Sequence, residues 1–103
     1  MSLYSILAMY EADLEKMQTA LAQLDALISQ VDGLKSNTMD TIAVNDKPYS
    51  ENLINNSLSH LVKAKEYLSG TAIPALLKKI EDIKEEIARM EEEERRLKEE
   101  GLA

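Results

Sequence analysis

The chain has 103 residues, of which 19 are acidic and 12 basic, giving a formal net charge of -7 at neutral pH, and it contains no Cys, Trp or Phe. That length leaves room for one domain, disulfides are excluded, and the acidic field opposes approach to nucleic-acid phosphates or anionic membrane surfaces. No stretch approaches the roughly 20 consecutive apolar residues that cross a bilayer, so neither nucleic-acid binding nor membrane insertion is expected.

The N-terminus has no basic n-region or compact apolar segment of a cleavable signal, since Glu11, Asp13 and Glu15 follow Ser2, Tyr4 and Ser5 closely. A cytoplasmic chain is expected, with co-export by a signal-peptide-independent system still open. Ser2 is placed to cap a first helix. Along it, Leu3, Leu7, Tyr10, Leu14, Met17, Leu21, Leu24, Ile28 and Val31 recur at alternating steps of four and three. Such spacing puts one apolar seam along one helix face. Gly33 weakens the helix by about 1 kcal/mol relative to Ala. Beyond it Leu34, Thr38 and Ile42 extend an apolar face only if the register shifts. The helix is expected over about residues 2–43. The alternative, an end at Asp32-Gly33, leaves a connection of about seventeen residues, longer than helix pairs ordinarily use.

Val44, Asn45, Asp46, Pro48 and Tyr49 mark the bend, expected over about residues 44–49. Pro48 lacks a donor N–H and turns Lys47 away from helical geometry, and Asp46 or Ser50 can cap the next helix. A helical arm is then expected over about residues 50–100. Its first stripe, Leu53 or Ile54, then Leu58, Leu61, Lys65 and Leu68, is more polar than the N-terminal seam. The neighbouring Asn52, Asn55, Asn56, Ser57 and Ser59 are modest helix formers. Gly70 and Pro74 leave two outcomes open. Gly70 can end one helix and Thr71 cap the next, or one long helix can run through, kinked where Pro74 removes a backbone bond. The arm's second stripe is Ile73, Leu76, Ile80, Ile83, Ile87, Met90, Glu94 and Leu97, apolar except at Glu94. From Glu81 to Glu100, the pairs Glu85–Arg89, Glu91–Arg95, Glu92–Arg96 and Glu94–Lys98 have helical spacing and mark a solvated face.

Together these elements predict an all-α fold: a single-domain, elongated antiparallel helical hairpin of two long helices, coiled-coil-like, the second kinked or broken near Gly70–Pro74. The two seams, Leu3 to Ile28 and Ile73 to Met90, are the expected partner-binding residues, since an apolar stripe needs a partner. Tyr49 and Tyr67, flanking the weak middle segment, are further contact candidates. Met17 and Met90 occupy seam positions and read as core filler.

Catalysis is not expected. His60 is the only histidine, and with no cysteine the chain cannot assemble a two-histidine metal site or a Cys–His relay. Glu81 with Glu85, and Asp82 with Glu86, lie one turn apart, but Lys78, Lys79 and Lys84 among them make ion pairing the better account. Gly33, Gly70 and Gly101 are too dispersed for a phosphate-cradling loop, and no cofactor is expected.

The opening Met1-Ser2-Leu3-Tyr4-Ser5-Ile6-Leu7, the mid-chain bend and the Lys/Glu/Ile-rich C-terminal helix give a layout that resembles the WXG100-like small helical proteins of type VII secretion. It is most similar in character to the accessory proteins encoded beside LXG-domain toxins. The resemblance implies a chaperone that binds the helical N-terminal domain of a larger toxin, alone or with a second small helical protein. The Trp-x-Gly of that superfamily's bend is replaced here by Val44-Asn45-Asp46. The Tyr-x-x-x-Asp/Glu export pattern is also absent, since Thr71, Leu53 and Leu14 stand four residues after Tyr67, Tyr49 and Tyr10. An adaptor whose partner supplies the export signal fits these departures better than a free-standing substrate. A self-assembling coiled coil, homodimer or larger, is the alternative.

Overall fold

The computed structural model describes residues 1–101. Helix α1 (Leu3–Thr38) turns back through a bend with a short 3-10 turn (Val44–Asp46) into α2 (Lys47–Tyr67), a π turn (Leu68–Ala72) and α3 (Ile73–Glu99). α1 packs against both α2 and α3, so the architecture is the all-α antiparallel hairpin, and among the described residues there is no strand. Its extents are 84 × 19 × 16 Å with a radius of gyration of 23.7 Å, where a compact domain of this length would have about 13 Å. Ser2 caps α1 as expected, its Oγ accepting the Ser5 backbone N–H at 3.1 Å.

Two helices share only one interface, so each can bury only one stripe. Leu3, Leu7, Tyr10, Leu14, Met17, Leu21, Leu24, Ile28 and Val31 all turn toward the arm, half-buried. The stripe does not slip after Gly33. It continues through Lys35, Thr38 and Ile42 in the original register, while Leu34 points outward. Lys35 holds a seam position because its alkyl stem covers apolar surface while its Nζ donates to Asn55 Oδ1 at 2.9 Å. On the arm it is Ile54 that faces α1, with Leu53 exposed.

α1 ends earlier than residue 43. Both the backbone N–H and the Oγ1 of Thr41 bond to the Thr38 carbonyl, at 3.1 and 2.9 Å, replacing helical partners with a turn. The bend therefore occupies Met39 to Asp46, and the arm starts at Lys47. Val44, Asn45 and Asp46 lie in the bend, but Pro48 and Tyr49 belong to the first turn of α2. There a missing N–H costs nothing, because first-turn donors have no helical acceptor. Asp46 takes the N-cap position without a side-chain cap bond, and Ser50 lies inside the helix.

Neither Gly70 nor Thr71 acts as a cap. The backbone stays helical through Tyr67, Leu68, Ala72 and Ile73, and the Ile73 N–H bonds to the Leu68 carbonyl five residues back. This widened turn accommodates Pro74, whose ring would otherwise crowd the Gly70 carbonyl. It also inserts one residue into the stripe. Leu68 and Ile73 are five apart and both face α1, so the register of α2 passes intact into α3. Asn55 and Glu91, which both reach α1, stand five heptads plus that one extra residue apart. Without the insertion, α3 would be rotated by about 100° relative to α2.

Two stability measurements test this geometry. A Cβ on Gly33 would meet nothing within 4 Å, so Gly33→Ala should stabilise the hairpin by about 0.5–1 kcal/mol in urea unfolding monitored by circular dichroism. A destabilised variant would show that residue 33 is not helical. Deleting Thr71 together with Pro74→Ala returns Leu68 and Ile73 to a four-residue step, and helicity and unfolding midpoint should be retained. Deleting Glu81, where no wide turn exists, should instead cost about 2 kcal/mol or more by turning Ile83 and Ile87 off the seam.

Candidate partner-binding surface

The two sequence stripes meet each other. Ile73, Ile83 and Met90 are half-buried against α1, and Leu76, Ile80 and Ile87 are the buried ones among the described residues, at 8%, 6% and 8% exposure. α1 contributes none that is fully covered. Glu94 is exposed and interrupts the seam before the half-buried Leu97. Every residue of both expected seams thus lines one intramolecular interface, and most keep an open flank because no third helix covers them.

Polar contacts on the rims set the register. Tyr4 Oη donates to Glu91 Oε1 at 2.8 Å, Lys65 Nζ pairs with Asp25 Oδ1 at 2.7 Å, and Lys79 Nζ lies 5.9 Å from the centroid of the Tyr10 ring. With Lys35–Asn55, these four contacts run antiparallel along the hairpin. Both ends of Asp25–Lys65 are about half exposed, so the pair contributes at most about 1 kcal/mol; it fixes alignment more than stability. Glu91, spaced in the sequence to pair with Arg95, lies on the rim toward α1, where Tyr4 takes it. Arg95 instead bridges Glu92 and Glu99, Arg96 reaches Glu100 at 3.4 Å, and Lys78 pairs with Asp82 at 2.9 Å. The Arg95 guanidinium holds the Glu92 carboxyl below its usual range. The Asp82 carboxylate raises Lys78.

Sequence inspection overlooked Lys35, although it stands four residues after Val31 and three before Thr38. Its charge disguised a seam position. Val44 in the bend and Tyr49 in the first turn of α2 are strongly exposed, and Tyr67 is exposed at the end of α2. A shallow cleft at the bend end is lined by Asp32, Gly33, Lys35, Ser36, Met39, Asp40 and Glu51. Among the described residues no three His, Cys, Asp or Glu side chains are grouped to hold a metal ion, and no helix is long and apolar enough to cross a membrane.

No protein-family model, curated protein or solved structure matches this chain.

The Tyr4–Glu91 bond gives the hairpin an alkaline signature. Donation to Glu91 raises the Tyr4 hydroxyl above its ordinary value, and the nearby Glu94 charge acts in the same direction. The unfolded phenol ionises first, so the contribution is fully present below about pH 10 and is lost as pH rises through the folded value. Comparing thermal midpoints of wild type and Tyr4→Phe from pH 7 to pH 11 should show the wild type's advantage shrinking at the alkaline end. An advantage that does not change with pH would mean the bond is absent in solution.

Proposed function

We propose that this chain is a helical adaptor, a targeting chaperone that binds the N-terminal helical domain of a larger type VII secretion toxin in the cytoplasm and assists its export. One observation carries the proposal: in a two-helix hairpin 84 Å long, only three hydrophobic side chains among the described residues are buried. The solvent-accessible surface is 7544 Å², against about 5,800 Å² for a compact protein of this size. Helices of a partner laid along the hairpin would close the open flanks of the seam and turn a helix pair into a bundle. With the Tyr-x-x-x-Asp/Glu spacing absent, the partner supplies the export signal and this chain holds the partner's helices in order. Elongated hairpins with one apolar stripe per helix are suited to that task, because helices can be added on either side without rearranging the pair.

The same open flank supports a second reading, a self-assembling coiled-coil scaffold in which another copy closes the seam. Affinity capture of the tagged chain from its own cells, with mass spectrometry and stoichiometry, separates the two. One large protein in fixed ratio, bound through a helical N-terminal region, supports the adaptor; recovery of untagged copies alone supports the scaffold. Leu14→Glu with Leu21→Glu should abolish capture of either kind and lower helicity, since two carboxylates would enter the seam without partners. Unchanged helicity and capture would overturn the seam assignment.

A further inference from the structure

The Asp25–Lys65 pair separates two parts of the hairpin that differ in what holds them together. Toward the free end, every seam residue from Leu3 to Leu21 and from Ile73 to Met90 is apolar or aromatic, and the buried Leu76, Ile80 and Ile87 lie there. Toward the bend, half of the seam is polar: Lys35 and Thr38 stand between Val31 and Ile42, and the half-buried Lys47 and Ser50 precede Ile54 and Leu58. Local preference weakens in the same place. Six of the ten residues 29–38 are Ser, Asp, Gly, Asn or Thr, six of the ten residues 50–59 are Ser or Asn, and the Lys35–Asn55 bond shows that these stretches face each other. From Ala75 to Glu99, Asp82 is the single residue of those types. α2 also begins without a side-chain cap bond, and inside it the Ser57 hydroxyl competes for the Leu53 carbonyl at 3.0 Å. α3 is braced by Lys78–Asp82 and by Arg95 with Glu92 and Glu99, whereas among the described residues no ion pair lies within α2.

We infer that the bend end, residues 29–61, is an order–disorder element that opens as one unit in the free chain while the rest of the hairpin stays paired; this goes beyond the adaptor reading and holds whatever the partner is. Cooperativity follows from the composition of both strands. Without packing, Ser, Asn, Asp and Gly do not propagate a helix from the stronger segment beyond them, so when the strands part both lose helix together. The freed loop of about thirty residues gains backbone entropy, which a half-polar seam offsets only weakly on closing. Opening stops where these conditions change. Ala20, Ala22 and Ala26 on α1 and residues 63–66 on α2 are strong helix formers, and Asp25 holds Lys65 across the seam. A partner that touches the closed bend end must also hold it ordered, so opening lowers its apparent affinity and binding shifts the end closed.

Native-state hydrogen exchange of the full chain, read amide by amide by NMR in sub-denaturing guanidinium, tests this. Amides 31–38 and 52–59 should be at least about 30-fold less protected than amides 14–21 and 76–87, and should merge on one shared opening before global unfolding as denaturant is added. Ile80→Val should lower protection at 14–21 and 76–87 by about threefold to tenfold and leave the bend end unchanged, because that end opens with residue 80 still buried. Gly33→Ala with Asn56→Ala, at two positions open to solvent, should raise bend-end protection about tenfold. Equal protection in the two parts, or bend-end amides that fall in step with 76–87 in Ile80→Val, would mean that the hairpin opens only as a whole and would overturn the proposal. So would a smooth gradient of protection along each helix, which is fraying without a unit, or a boundary at the π turn.

Discussion

Everything in this molecule depends on keeping one apolar stripe of each helix in register with the other over the full length of the hairpin. Two helices have one interface, and a residue that leaves the stripe has no second layer to receive it. The arm meets this requirement with a π turn. Pro74 forbids a regular helix at Gly70, and the widened turn that relieves it adds the single residue needed to join the α2 stripe to the α3 stripe. A sequence feature that reads as a helix break is thereby part of what keeps the helix useful.

The same geometry explains why so little is buried. Leu, Ile and Met on a lone pair of helices can cover one another on only one side, and the large exposed surface is a consequence of shape. Rim contacts such as Tyr4–Glu91 and Lys35–Asn55 select the alignment, and the half-covered side chains between them supply most of the cohesion.

Charge is divided along the hairpin. The free end, from Lys78 to Glu100, is dense in intrahelical ion pairs such as Arg95 with Glu92 and Glu99, which support α3 without help from outside. Toward the bend, α2 runs from Asn52 to Val62 without a formal charge and with several poor helix formers. That half relies on packing, and it offers a neutral face to neighbours.

The sequence by itself determined the helical class, the two heptad stripes, the Ser2 cap and the need for a reversal near the middle, because side-chain periodicity and local capping are written in adjacent residues. It was silent on which of several local signals would prevail. Thr41 capturing the Thr38 carbonyl ended α1 early, and Pro48 fitted the first turn of α2 when either a turn or a helix start would accept it. Lys35 rather than Leu34 joined the seam, and Ile54 rather than Leu53 faced α1. In each case the facing helix decided. A residue's place in a two-helix pair is set by the register of the partner stripe, and that register is a property of residues twenty to ninety positions away.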